Sequence, residues 1–108
     1  MIVKNSEVDL YQLEEKVARK ILQSAGSLMM VEVHFEKGGI GEAHSHDEHE
    51  QVCYIAKGIF EVTVGGDKQV LSQGDSFYAA KKEVHGVVAI EDGILLDIFT
   101  PIRKDFLE

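Results

Sequence analysis

GGIGEAHSHDEHEQVCYIAKG, running from Gly38 to Gly58, is the stretch whose reading decides the fold. The chain holds 5 histidines, and three of them, His44, His46 and His49, fall inside it. On a strand, residues i and i+2 project to one face. His44 and His46 therefore aim two imidazoles at one point, as a pair sharing a metal ion must. After a short turn the next strand runs back beside the first, so His49, Glu50 or Gln51 is placed to face the same point. His85 opens a later strand and is a further candidate to close the set. The competing reading is a solvated His-Asp-Glu loop. For His49 alone that reading is preferred. For the His44–His46 pair, framed by Gly38 and Gly58, the metal is preferred.

Outward from this stretch the chain reads as short strands. LMMVEVHFEKGG precedes it, rich in β-branched and aromatic residues and stopped by Gly38-Gly39. IFEVTVGGD follows, with Phe60, Val62 and Val64 on one face and Glu61 and Thr63 on the other. Gly65-Gly66-Asp67 reads as a hairpin turn in which both glycines take positive φ. KQVLSQGD, SFYAA, HGVVAI and ILLDIFTPI complete the series. Many short strands separated by glycine turns indicate a sandwich or barrel. Residues 10–24 are ambiguous. Leu10, Leu13, Val17 and Ile21 have helical spacing, whereas KVARKIL also alternates as a strand does.

At 108 residues the chain is expected to form one domain, residues 1–108, with a barrel core over about 28–100. Its net charge of −8 repels phosphate backbones and anionic bilayers, so neither nucleic acid nor membrane is expected as a partner. A small anionic ligand would need a local positive group. With 1 cysteine, Cys53, no internal disulfide forms, which suits a reducing, cytoplasmic setting. The N-terminus lacks the apolar run of a secretory signal, and no run approaches the ~20 residues of a spanning helix.

The residues from Gly38 onward resemble the cupins. Their first motif, G-x5-H-x-H-x3/4-E-x6-G, is matched in order by Gly38, His44, His46, Gln51 and Gly58. Using Glu50 would leave seven residues before Gly58, so register prefers Gln51 in place of the usual glutamate. The second motif, G-x5-P-x-G-x2-H-x3-N, is matched at Gly74 and His85, while Ala80, Lys82 and Ala89 stand where Pro, Gly and Asn are usual. The resemblance implies an all-β, single-domain cupin, a double-stranded antiparallel β-helix or jelly-roll barrel. It implies one divalent metal held by His44, His46, Gln51 and His85, with His49 left in the turn. It also favours a strand at KVARKIL, and a homodimer. Imidazole suits Zn, Ni, Fe or Cu, Mn being a further metal that cupins use, and this ligand set does not choose among them. An amide in place of a carboxylate leaves the ion its full charge, so it should favour anionic ligands.

The spacing His-x-His-x4-Gln, a last His 34 residues on, then D-x-F-x3-R-x2-F-L, is similar to small cupins of pectin and alginate breakdown. Those enzymes open the ring of 4,5-unsaturated uronate monosaccharides to linear keto sugars, an isomerase-like reaction. The resemblance implies Asp97 as acid/base, and Phe99 and Arg103 lining the substrate site with Arg103 clamping a carboxylate. Asp97 stands amid an apolar run, where a carboxylate is costly unless it is paired or beside a cation. A structural ion pair is the rival explanation. Cys53, two residues past Gln51, and Tyr78 are further candidates for the substrate pocket; a buried small hydrophobe and an ordinary strand aromatic are their plainer readings. Rival functions are an iron- or manganese-dependent oxygenase and a sensor module that binds metal or ligand without turnover.

Overall fold

In the computed structural model, which describes residues 1–107, the chain is built from ten strands. They are β1 (Tyr11–Glu14), β2 (Val17–Ala25), β3 (Leu28–Phe35), β4 (Ile40–His44), β5 (Glu50–Lys57), β6 (Ile59–Val64), β7 (Asp67–Ser72), β8 (Ser76–Ala79), β9 (His85–Ala89) and β10 (Gly93–Thr100). Short 3-10 turns at Asn5–Glu7 and Lys104–Leu107 flank them. The strands form two antiparallel sheets, ordered β1-β2-β3-β10-β5-β8 and β4-β9-β6-β7. This is the expected all-β jelly roll.

The ambiguous N-terminal segment is strand. Leu10 and Leu13 are exposed while Val17 is buried, so no helical stripe faces the core. β2 instead pairs along β3, from Val17 opposite Phe35 to Ala25 opposite Leu28. A ladder with a neighbouring strand outweighs helix propensities of a few tenths of a kcal/mol per residue. The alternation puts Val17 and Arg19 inward, and Arg19 sits opposite the cavity-lining Val33.

β10 lies between β3 and β5, which explains why ILLDIFT shows no polar face. Its register builds two inward rows across the sheet. One runs Met29, Phe99, Gln51, Ala79, and the other Val31, Asp97, Cys53, Phe77. The second sheet contributes Phe60, Val62, Val87 and Ala89 to the core. At one end Phe35 and Phe60 meet edge to face, with centroids 5.2 Å apart. That end is apolar; the opposite end carries His44, Gln51 and His85.

The turns follow local chemistry with two surprises. Val64 pairs with Asp67 across a two-residue turn, but only Gly65 takes positive φ, 59°, and Gly66 does not. Lys82, where the motif has glycine, takes the glycine conformation, with φ 67°. Its N–H donates to the His46 carbonyl at 2.6 Å, so this strained residue anchors the histidine loop. A left-handed non-glycine residue costs ~1–2 kcal/mol, partly offset by the extra chain entropy that glycine loses. Lys82→Gly should therefore stabilise the protein by about 0.5–1 kcal/mol in urea denaturation, whereas Lys82→Ala should not.

Candidate metal and substrate site

Three histidines converge at the open end of the barrel. His44 closes β4, His85 opens β9 directly opposite it, and His46 lies just beyond β4 in the loop held by Lys82. Nitrogen atoms of all three lie within 4.8 Å of one another. Their ring centroids are 4.5 Å apart for His44–His46 and 4.6 Å apart for His44–His85. The strand-parity argument thus accounts for His44, while His46 reaches the same point from an irregular loop.

His44 and His85 each present a lone pair to the centre. Nδ1 of His44 contacts the Glu42 carbonyl, and Nδ1 of His85 contacts the Glu83 carbonyl at 2.9 Å. A carbonyl only accepts, so the proton is assigned to Nδ1 and each Nε2 is left as an acceptor. Nε2 of His46 is buried without any hydrogen-bond partner. Gln51 Oε1 faces His85 Nε2 at 3.1 Å, while Gln51 Nε2 donates to Asp97 Oδ1 at 3.3 Å. Two acceptors facing each other across 3.1 Å repel unless a cation lies beside both. The donor set therefore fits a divalent metal ion, and backbone carbonyls orient its histidines in the usual outer-sphere manner.

Electrostatics agree with this reading. Burial, then the Arg103 charge, then the neighbouring histidines push His46 down to about 3. His85 is also lowered, chiefly by burial. These imidazoles are neutral at pH 7, the form that binds metal. Asp97 is surrounded by protein with its open face toward the cavity. Burial raises its pKa to about 6, against the opposing effects of the Cys53 thiol hydrogen bond and Arg103.

The cavity is about 220 Å3. His44, Gln51, His85 and Asp97 line it together with Phe99, Arg103, Phe106 and Arg19. Apolar side chains such as Val33, Phe35 and Leu95 make up its depths. The volume suits a small molecule rather than a polymer.

Several sequence expectations need correction. His49 is not solvated: it lies in the β4–β5 connection, but it is buried, its ring tilted against that of His46 with centroids 4.1 Å apart and edge-on to Phe99 at 5.5 Å. The loop folds back against the C-terminal segment, a tertiary contact that local composition does not reveal. His49 stands outside the three-histidine group. Glu50 faces outward, where it accepts a hydrogen bond from the Tyr78 hydroxyl at 3.0 Å. Tyr78 is consequently exposed and away from the cavity, because Ala79, its neighbour, takes the inward position on β8. Cys53 does face inward, yet it is fully buried and contacts Asp97 rather than lining the cavity. Its register partners on the neighbouring strands are Asp97 and Phe77. Arg19 was missed. The signal was a charge between Val17 and Ile21 on what becomes the inward face of β2.

Two outcomes follow. The metal-free protein should bind one divalent ion per chain in calorimetric titration; His46→Ala should weaken that binding at least ~10-fold and His49→Gln should leave it close to wild type. Asp97 binds its proton more tightly folded than unfolded, so its charge destabilises the fold progressively from pH 4 upward. Asp97→Asn should stabilise the metal-free protein at pH 8 by ~1–3 kcal/mol, a gain that disappears below about pH 4.

Comparison with known proteins agrees with this geometry. Residues 31–99 match the cupin domain family. The chain is 47% identical over 104 residues to the pectin degradation protein KdgF of Dickeya dadantii (strain 3937), across 95% of this chain and 94% of that one. The structure of KdgF from Halomonas sp. superposes with a TM-score of 0.95 at 39% identity, covering 98% of this chain and 97% of that chain. An RmlC-like cupin from Shewanella frigidimarina NCIMB 400 superposes with a TM-score of 0.92 at 37% identity, over 95% and 92% of the two chains.

Proposed function

Because this chain belongs to the cupin family, we propose that it is a metal-dependent enzyme that opens the ring of 4,5-unsaturated uronate monosaccharides. The similarity to the pectin degradation protein KdgF along nearly the whole chain supports a sugar acid from pectin as substrate. The observation that carries the reading is Asp97: a carboxylate with its pKa raised to about 6, facing a small cavity that His44 and His85 also line. A structural ion pair does not explain it, since no salt bridge to Asp97 occurs among the described residues.

In this mechanism His44, His46, Gln51 and His85 hold the metal. When bound, a divalent ion supplies Lewis acidity toward the oxygens on which negative charge builds. Asp97 takes the proton of the C1 hydroxyl as the C1–O5 ring bond breaks. C1 becomes an aldehyde, and the electron pair of the broken bond stays on O5 as an enolate. Asp97 then returns the proton to C4, and C5 becomes a ketone. The proton count is unchanged, as an isomerisation requires. A pKa near neutrality suits a group that must both accept and release a proton. Gln51 orients the carboxylate through its N–H, and Phe99 walls one side of the site. The arginine-lined mouth receives the substrate's carboxylate.

Ring opening of 4,5-unsaturated galacturonate, followed by the loss of its ultraviolet absorbance, tests this. The wild-type protein should accelerate it, and Asp97→Asn should lower kcat by ~10²-fold or more while its metal content stays at one ion per chain. An unchanged rate in that variant rejects Asp97 as the acid/base.

A further inference from the structure

The cavity mouth contains two arginines, and they are not equivalent. Arg103 is engaged. Its Nη2 donates to Asp105 Oδ2 at 2.8 Å and its Nε to Asp105 Oδ1 at 3.4 Å, so one carboxylate already occupies the edge of its fork. Arg19 also lines the cavity, but it makes no salt bridge and donates no side-chain hydrogen bond among the described residues. The two guanidinium centres stack on the same ring, Phe106, at 3.9 Å for Arg19 and 3.8 Å for Arg103. Stacking uses the face of a guanidinium and leaves its in-plane N–H groups free. Phe106 therefore fixes the plane of Arg19 without consuming its donors. The Tyr11 ring, 5.7 Å away, flanks it further.

The charges make the same distinction. Of the two cations at the cavity, Arg103 is ion-paired with Asp105, whereas Arg19 is in no salt bridge among the described residues. A free, planar, pre-oriented fork at the entrance of a small cavity is the arrangement that recognises a carboxylate in two-point fashion. We propose that Arg19, rather than Arg103, binds the carboxylate of the substrate. The choice of a uronate as that substrate rests on the function proposed above; the recognition of a carboxylate rests on the mouth itself.

Calorimetric titration separates the two. The metal-loaded protein is titrated with D-galacturonate, which has no double bond to react, and with D-galactose, which lacks the carboxylate. Wild type should bind galacturonate at least tenfold more tightly than galactose. Arg19→Gln should remove most of that difference and leave galactose binding unchanged. Arg19→Met, which keeps the apolar stem, serves if the glutamine variant does not fold. In turnover of 4,5-unsaturated galacturonate, either variant should raise KM about tenfold with kcat within about twofold of wild type. Galacturonate bound equally well by wild type and variant overturns the assignment, as does a wild type that does not distinguish the two sugars. If ring opening fails in wild type while the Arg19-dependent preference persists, the proposed reaction is wrong and the carboxylate site stands.

Discussion

Gln51 holds its side-chain amide between two partners that need its opposite ends. The NH2 group donates to Asp97, and the oxygen faces His85. Turned over, the amide would set its oxygen against a carboxylate and its donors against the histidine cluster. Asp97 is fixed by β10, the strand held between β3 and β5, so the carboxylate decides which way the amide points. The same choice sets an oxygen among the imidazole lone pairs. Barrel floor, acid and candidate ligands are thus joined by one polar chain, in which each group constrains the next.

Such an interior is costly, and the remainder of the core compensates. Three imidazoles, two of them hydrogen-bonded to carbonyls, occupy the open end. Phe35, Ile55, Phe60, Val62 and Leu95 fill the other in a continuous apolar cluster. A second cluster, Met29, Val31 and Phe99, continues under Ile102 and Phe106 of the C-terminal segment. Asp97 lies between the two. The position that raises its proton affinity also subtracts from stability, a familiar tension between what a site needs and what a fold prefers.

How far the sequence foretold this depended on whether the information was local. His44, Gln51 and Gly58 could be placed by counting, because strand parity and a motif register are local rules. The inward direction of Cys53 followed from the same alternation, whereas Asp97 stood in a run apolar on both faces and was assigned to the site by the resemblance alone. The strand at KVARKIL could not be settled by its own residues, since the deciding partner, β3, only becomes adjacent in the fold. The burial of His49 was hidden for the same reason: Phe99 and the Arg103–Asp105 segment that cover it lie about fifty residues away in sequence. Lys82 stands where the second motif has glycine, yet its backbone keeps the glycine conformation, with the N–H tied to the His46 carbonyl.

Arg19, Arg103 and Phe106 lie outside residues 31–99, the span matched by the cupin family, while the histidine cluster, Gln51, Asp97 and Phe99 lie inside it. The two ends of the chain meet over the cavity through one aromatic ring. On the proposed function, reactivity and recognition would be written on different parts of the polypeptide. A barrel of this kind can exchange its threshold while keeping its hearth: drift in the terminal segments would retune which acids are admitted, with little disturbance to the interior that acts on them.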